Sequence, residues 1–254
     1  MDTIITNSKN VQKRLKDYTE YESEIIYPPV DIARFSPTSP QPSPKGEGVR
    51  QKFPFSEGEG ARGWGGYFLS FARLSPPKRV DLIVDAFQGM PDQNLIFCYG
   101  KNDPMKEEIL AKIRGQKNII ALESPDDDAL ISLIQWAIAT IYIPVDEDFG
   151  MSPVESMACG TPVIGVDEGG LKETIIDGKT GKLIWGMRYE VWGIDSELPL
   201  DKGGRGDLVL ELQSVVQNTP KEDWESMKEA CITKAKEFSL DSFEKKLKSC
   251  LVKS

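Results

Sequence analysis

The chain has 254 residues, of which 39% are hydrophobic and 28% are charged, so it is long enough to bury a substantial core. Its net charge of −9 argues against a general nucleic-acid-binding protein, whose surface would be basic. Histidine is absent, which excludes Ser-His-Asp and Cys-His catalysis and the common zinc ligand sets within this chain.

The cysteines and the N-terminal segment indicate the compartment. Three of the four cysteines lie in apolar or helical patterns and none forms a CxxC pair, as expected of reduced structural thiols. The N-terminal segment lacks the apolar core of a signal peptide, and no stretch approaches the ~18 apolar residues of a membrane-spanning helix. We therefore expect a cytoplasmic protein with no membrane span and no nucleic-acid partner.

The first 35 residues predict a short α/β segment. Asn7 or Ser8 can cap a helix that carries its apolar residues on one face, and Glu24–Tyr27 forms a brief strand. Residues 36–66 then contain five prolines and seven glycines and almost no aliphatic residues. Because such a composition cannot build a core, it predicts a disordered insertion, with a PxxP ligand or a lid as the alternatives.

Residues 67–185 alternate continuously apolar strands with amphipathic helices. The predicted strands are Tyr67–Phe71, Leu95–Tyr99, Asn118–Leu122, Thr140–Pro144, Pro162–Gly165 and Gly181–Trp185. The predicted helices are Arg79–Gln88, Asp103–Arg114, Asp126–Ala137 and Pro153–Cys159. Asp103 and Pro104 have the residue types of a helix cap and first helical position. This alternation predicts an α/β fold with a Rossmann-like doubly wound parallel sheet, covered by helices on both faces.

The remainder of the chain is expected to be peripheral to this sheet. Residues 186–207 include the sequence PLDKGGRGD and predict a second insertion loop. Residues 208–254 predict extra C-terminal helices at Leu208–Val216, at Lys221–Phe238 and after Ser239.

Two basic residues follow the strand that opens this domain. In open α/β sheets, ligands bind beyond the carboxyl ends of the strands, often at a helix N-terminus. Arg73 lies on the loop after the strand, and Lys78 opens the next helix. Arginine can bind a pyrophosphate bidentately and lysine acts as a point charge. Basic residues near a helix start are also common on ordinary surfaces, so both interpretations remain open.

Two acidic residues follow the domain's fourth strand. Glu147 lies in the loop and Glu155 about one turn into the next helix, so both can face one crevice with the backbone amides of residues 149–152. Ionised carboxylates accept hydrogen bonds from sugar or ribose hydroxyls, although two acids at this spacing can equally be solvated surface. After the fifth strand, Gly169 and Gly170 permit a close backbone approach.

Three short acidic motifs have competing interpretations. Asp148-Phe149-Gly150 spells a kinase metal motif, but the other kinase motifs are missing from the sequence. Residues 126–128 and 146–148 both contain DxD, a spacing that can hold a metal ion. The first is better explained as a helix cap, and the second belongs to the Glu147 motif.

The run from Tyr67 to Ile184 resembles the C-terminal, donor-binding domain of family 4 (group 1) GT-B glycosyltransferases over its whole length. FARLSPPKRVDLIVDAF is similar to the family's GRL…K segment. EDFGMSPVESMACGTPVIG is similar to its E-x7-E motif, and GGLKETIIDGKTGKLI to the segment that follows. The EDFG form is most like bacterial mannosyltransferase-type members. Residues 1–35 resemble the end of the family's N-terminal domain and the interdomain linker.

The resemblance implies roles for individual residues. Arg73 and Lys78 would neutralise the diphosphate of the nucleotide-sugar, and Glu147 would bind hydroxyls of the transferred sugar. Glu155 would bind the nucleotide ribose. The other residues implied at the donor-binding site are Phe149, Gly150, Met151, Gly169 and Gly170. The family retains anomeric configuration by front-face attack, in which the leaving phosphate takes the acceptor proton. Neither a metal ion nor a cofactor is expected.

The resemblance also implies that an acceptor-binding domain is needed, of which residues 1–35 would be only the end. One hypothesis is a hexosyltransferase acting on a glycan or lipid-linked acceptor, with GDP-mannose favoured, that works with a separate N-terminal polypeptide or by self-association. The second is a truncated, inactive remnant that binds nucleotide-sugars. A third is a sugar-nucleotide-binding regulator.

Overall fold

A six-stranded parallel sheet forms the centre of the computed structural model, which describes residues 3–36, 66–185 and 204–252. Its strands are β3 (Phe68–Ser70), β4 (Leu95–Tyr99), β5 (Ile119–Glu123), β6 (Ala139–Tyr142), β7 (Val163–Val166) and β8 (Gly181–Ile184). A separate parallel pair consists of β1 (Ile5–Thr6) and β2 (Glu24–Ile25). The predicted α/β fold is therefore confirmed, with each strand of the main sheet within about two residues of its predicted bounds.

Helices cover both faces of the sheet and extend beyond it. The first six are α1 (Lys9–Tyr18), α2 (Ile32–Phe35), α3 (Val80–Gln88), α4 (Lys106–Lys112), α5 (Asp127–Trp136) and α6 (Met151–Ala158). The others are α7 (Leu171–Thr174), α8 (Arg205–Asn218), α9 (Lys221–Ser226), α10 (Lys228–Ala235) and α11 (Leu240–Val252). Short 3₁₀ turns lie at Pro76–Lys78 and Lys236–Phe238.

The strand order β5-β4-β3-β6-β7-β8 places the site. The chain builds outward from β3 to β5, then returns to add β6 on the other side of β3. Phe68 pairs with Ala139 and Leu69 with Thr140 across this junction. Loops that leave neighbouring strands in opposite directions open a crevice at the carboxyl edge, which is where such sheets bind ligands.

The core explains why the strands read as continuous apolar runs. β3, β6 and β7 are buried along their whole lengths because helices pack on both faces of the sheet. α3 buries seven of its nine residues, including Asp81, whose carboxylate pairs with Arg205 of α8. This packing holds the beginning of α3, next to Lys78, against the sheet.

The N-terminal segment joins the C-terminal helices through its linker. Ser8 rather than Asn7 caps α1, since its hydroxyl oxygen accepts the Val11 amide at 3.1 Å. The linker amide of Val30 donates to the carbonyl oxygen of Phe238 at 2.8 Å. Both ends of the described chain therefore meet on the same side of the molecule.

Several sequence predictions differ from the structure. The predicted helix Lys221–Phe238 is interrupted at Met227, where α9 ends and α10 begins. α8 begins at Arg205 instead of Leu208, because the Asp207 carboxylate accepts the Gly204 amide and satisfies the helix start. The predicted insertions 36–66 and 186–207 fall mostly outside the described residues.

Asp103 is a further difference. It does not cap α4, which begins at Lys106. Instead, its nearly buried carboxylate accepts the backbone amides of Leu74 and Gly100, both at 2.9 Å. The side chain thus ties the loop after β3 to the loop after β4, a long-range role that the local cap pattern does not indicate.

No helix in the described part of the chain has both the length and the apolar character needed to cross a bilayer.

Replacing Asp103 with alanine should lower the free energy of unfolding by about 1–3 kcal/mol, because two buried amides lose their acceptor. Asp103→Asn is the matched control, since its carbonyl oxygen can still accept both amides and the loss should be smaller. Urea-induced unfolding measures both variants. Equal losses for the two variants would contradict the acceptor role.

Candidate functional site

A cleft of about 480 Å³ opens at the carboxyl ends of β3 and β6. Its walls come from the loops after these two strands and from the N-terminal segment, which contributes Asn7 and Pro28. The sequence-predicted site residues that line it are Arg73, Lys78, Glu147, Phe149, Gly150 and Met151. Glu155, Gly169 and Gly170 are not among the lining residues.

Lys78, Glu147 and Tyr142 form a three-way contact in this cleft. The Lys78 Nζ lies 2.5 Å from Glu147 Oε2 and donates to the Tyr142 hydroxyl at 2.8 Å. The Tyr142 hydroxyl donates in turn to Glu147 Oε2 at 2.7 Å. The ammonium group also lies 5.1 Å from the centre of the Tyr142 ring, close enough for a cation–π interaction.

Tyr142 keeps its proton in this arrangement. Burial, and then the negative charge of Glu147, raise the pKa of the Tyr142 hydroxyl far above its ordinary range. The O–H therefore remains a hydrogen-bond donor to the carboxylate at any physiological pH. Tyr142 was missed by the sequence predictions. The only signal was a hydroxyl-bearing aromatic residue at the end of the apolar strand β6.

The turn that carries Lys78 is fixed by backbone contacts. Lys78 ends the 3₁₀ turn Pro76–Lys78 and does not open α3 directly. The Val145 amide donates to the Pro77 carbonyl at 2.8 Å, which ties this turn to the loop that carries Glu147. The two charged residues thus share a mechanical connection as well as a salt bridge.

Arg73 stands at the mouth of the cleft. Its side chain is 75% exposed, and Nε lies 3.6 Å from Asp103 Oδ1. Among the described residues this is its one ion pair, and an exposed arginine held so loosely can turn toward an anion at little cost in desolvation. The structure thus brings Arg73 and Lys78 to one cleft, with only Lys78 held by close contacts.

Gly169 and Gly170 support the Glu147 loop from below. The Gly170 amide donates to the Glu147 carbonyl at 2.7 Å. A Cβ atom on Gly170 would lie 2.3 Å from the Asp148 carbonyl oxygen, and one on Gly169 would lie 2.4 Å from that of Glu147. The close approach that these glycines permit is to the chain's own backbone. Their implied contact with a nucleotide-sugar stays a prediction.

A buried ion pair also holds this loop. The Arg79 guanidinium, 1% exposed, lies 3.3 Å from Glu168, and the second oxygen of Glu168 accepts the Asp146 amide at 3.3 Å. Arg79 and Asp146 both have positive φ angles, 53° and 38°, which non-glycine residues adopt only with support from their surroundings. The Arg79–Glu168 pair provides that support at both positions.

The side chain of Phe149 is locked in an aromatic cluster. It stacks on Tyr27 with ring centres 5.5 Å apart and meets Phe238 edge-on at 5.2 Å. Gly150, with φ of +84°, then starts α6. Within the described residues, the Phe149 and Gly150 amides have no hydrogen-bond acceptor. Such amides at a helix start can bind an anion.

Polar contacts hold the N-terminal segment over the site. The Glu173 carboxylate accepts the Lys9 and Asn10 amides at 2.9 and 3.0 Å, which caps α1, and it also accepts the Tyr27 hydroxyl. The Asn10 side chain donates to the Glu147 carbonyl at 3.3 Å. In the same region, Arg14 pairs with Asp148.

Glu155 differs from Glu147 in its surroundings. It is half-buried on α6, and no described residue forms a hydrogen bond or ion pair with its carboxylate. Burial raises the pKa of Glu155 above the ordinary glutamate value, and the charge of Arg34 opposes this only in part. A carboxylate buried without a hydrogen-bonding partner reduces stability and remains available to bind a ligand.

Solved structures with the same fold are glycosyltransferases of the GT-B type. The chain superposes on the Anabaena HepE protein, solved with UDP and glucose, with a TM-score of 0.73 at 19% identity, covering 98% of this chain and 62% of HepE. It superposes on sucrose-phosphate synthase from Thermosynechococcus elongatus with a TM-score of 0.73 at 17% identity, covering 99% and 58%. At such identities the likeness establishes the fold alone.

A sequence-family model establishes the family. The model of the family "Glycosyl transferases group 1" matches residues 54–187, which is more than half of the chain. The chain belongs to the group 1 glycosyltransferases.

The chain matches only part of the length of two curated relatives. Alpha-1,3/1,6-mannosyltransferase ALG2 of Dictyostelium discoideum is 33% identical over 139 residues, which cover 46% of this chain and 33% of that protein. The D-inositol 3-phosphate glycosyltransferase of Mycobacterium marinum is 24% identical over 242 residues, covering 91% and 49%. The chain thus spans a third to a half of the length of these relatives.

Gly170→Ala should lower the free energy of unfolding by about 1–3 kcal/mol, because the added methyl group overlaps the Asp148–Phe149 backbone. Gly206→Ala on α8 is the control, since a Cβ there meets no atom within 4 Å. That variant should be as stable as the wild type or more so. Urea unfolding compares them, and a Gly170→Ala variant as stable as Gly206→Ala would show that the loop is not held as described.

Glu155→Gln should raise the thermal unfolding midpoint at pH 7. The folded-state pKa of Glu155 is raised, so the wild type loses stability as the pH rises through that pKa, whereas glutamine stays neutral. The difference should vanish below the ordinary glutamate pKa of 4.5. Glu229→Gln on the exposed surface of α10 is the control and should not raise the midpoint at pH 7. An advantage of Glu155→Gln that persists at low pH would contradict the burial of an ionised carboxylate.

Proposed function

We propose that the chain supplies the sugar-donor site of a retaining family 4 hexosyltransferase that uses a nucleotide-sugar, with GDP-mannose as the preferred donor substrate. The contact of Lys78 with Glu147 in the cleft at the carboxyl edge of the sheet is the observation that carries this proposal. A cation for a phosphate and a carboxylate for hydroxyl groups stand side by side there. These are the two chemical features of a nucleotide-sugar that lie on either side of the bond to be broken.

In the proposed reaction, the diphosphate leaves while an acceptor hydroxyl attacks the same face of the sugar. The bond from the anomeric carbon to the phosphate oxygen breaks, and the bond to the acceptor oxygen forms. The acceptor proton passes to the departing phosphate. Lys78 and Arg73 stabilise the negative charge that builds on the diphosphate. The Phe149 and Gly150 amides add dipoles of the same sign.

The carboxylates have separate tasks in this proposal. Glu147 accepts hydrogen bonds from hydroxyls of the sugar, and its Oε1 accepts none from the described residues. Glu155 accepts the ribose hydroxyls. Its burial without a hydrogen-bonding partner supports such a binding role, because the ribose would supply the missing hydrogen-bond donors.

Two observations bear on which sugar is transferred. The EDFG motif and the 33% identity to an α-1,3/1,6-mannosyltransferase favour GDP-mannose. The HepE structures with UDP and glucose make UDP-glucose the competing candidate. Binding experiments therefore need both nucleotides.

The acceptor site is proposed to come from a second polypeptide or a second copy of this chain. The acceptor is proposed to be a glycan or a lipid-linked sugar. Since the chain spans a third to a half of the relatives' length, the alternative proposal is an inactive remnant that still binds nucleotide-sugars. The active transferase and the inactive remnant would have the same nucleotide-sugar site, so binding and sugar transfer have to be measured separately.

Calorimetric titration with GDP, UDP, GDP-mannose and UDP-glucose tests the binding site. Lys78→Ala should weaken GDP and GDP-mannose by about tenfold or more, because a charge-assisted phosphate contact is lost. Glu147→Ala should weaken GDP-mannose relative to GDP, since GDP lacks the transferred sugar that the carboxylate would bind. Lys221→Ala, an exposed lysine on α9, is the control and should change neither.

The donor site is refuted if none of the four ligands binds. It is also refuted if Lys78→Ala binds GDP and GDP-mannose as tightly as the wild type does. Sugar transfer, measured with and without an added acceptor-domain polypeptide, then separates the enzyme from the remnant. GDP-mannose bound without transfer in either assay would favour the remnant.

A further inference from the structure

The Lys78–Glu147 salt bridge means that an incoming phosphate has to compete with Glu147 for the Lys78 ammonium. In the described residues, the Glu147 carboxylate has two hydrogen-bonding partners, the Lys78 ammonium and the Tyr142 hydroxyl. Both bonds are made by Oε2. The side chains of Lys78 and Glu147 are only 25% and 20% exposed, so water cannot fully replace a partner that is withdrawn. A phosphate that draws Lys78 away thus leaves a largely buried carboxylate short of hydrogen-bond donors.

Tyr142 can still donate a hydrogen bond to the Glu147 carboxylate after Lys78 has moved. Its hydroxyl contacts both charged groups and donates its single hydrogen to the carboxylate. Movement of the ammonium toward a phosphate removes a donor from the tyrosine oxygen but leaves the O–H bond to Glu147 intact. Tyr142 is buried at the end of β6, with 8% of the residue exposed, so the hydroxyl cannot follow the lysine. Tyr142 therefore stays with Glu147 when Lys78 moves.

We infer that Tyr142 is a positioning residue that holds the Glu147 carboxylate while Lys78 transfers from Glu147 to the diphosphate. This inference rests on the proposed function and adds a residue to it that no motif indicates. Through this hydrogen bond, Tyr142 affects diphosphate affinity without touching the diphosphate. Its influence should accordingly depend on the charge of Glu147.

A double-mutant cycle with GDP as the probe tests this dependence. Tyr142→Phe keeps the ring and removes only the hydroxyl. In the wild-type background it should weaken GDP binding by about tenfold, because withdrawing Lys78 then leaves the carboxylate with no hydrogen-bond donor. In a Glu147→Gln background the same substitution should change GDP affinity by less than about twofold, since no charge is stranded.

Tyr67→Phe is the matched control. The Tyr67 hydroxyl is also buried, but it donates to the Leu133 carbonyl at 2.7 Å, away from the cleft. This variant should lose stability and keep GDP affinity. If Tyr142→Phe does not fold, Glu147→Gln alone still tests the idea, because releasing Lys78 from its pair should strengthen GDP binding.

The outcomes separate this inference from the proposed function. Wild-type protein that binds neither GDP nor UDP refutes both. Wild-type binding with an unchanged Tyr142→Phe affinity, or with the same loss in both backgrounds, overturns the positioning role and leaves the donor site standing. A Glu147→Gln variant that binds GDP more weakly than the wild type would equally contradict the exchange of Lys78.

Discussion

The hydrogen-bonded junction of β3 with β6 is the constraint on which the site depends. Two other strands and their connecting helices separate β3 from β6 in the sequence, yet the pairing of Leu69 with Thr140 makes them neighbours. Their carboxyl ends then deliver Lys78 and Glu147 to the same cleft. Any parallel sheet with this order opens a crevice at that edge. The fold therefore determines where the cleft lies, and the loops supply its charged side chains.

The cleft is held by both ends of the described chain. Phe149 packs between Tyr27 from the linker and Phe238 from the C-terminal helices. Glu173 caps α1 and binds the Tyr27 hydroxyl. Apolar contacts, a helix cap and a hydrogen bond therefore connect the N-terminal segment to the region of the Glu147 loop. An acceptor domain attached through that segment would be mechanically connected to the Glu147 loop.

Local patterns in the sequence predicted the features that local physics determines. The strand Leu95–Tyr99 is found with its predicted bounds, as expected of a short apolar run between turn residues in a parallel sheet that is buried on both faces. Ser8 and Asp126 cap helices as expected, since an N-cap bond spans only three residues. The family motifs led to Lys78 and Glu147, which line one cleft. The roles of Asp103, Tyr142 and Glu173 were not predictable, because each side chain also contacts a group that only the tertiary fold brings near it.

A crystal structure of the protein with bound GDP tests the central claim most directly. The account predicts that Lys78 Nζ lies within hydrogen-bonding distance of a phosphate oxygen, while Glu147 keeps its hydrogen bond to the Tyr142 hydroxyl. GDP bound with its diphosphate away from Lys78, and the Lys78–Glu147 pair unbroken, would contradict it.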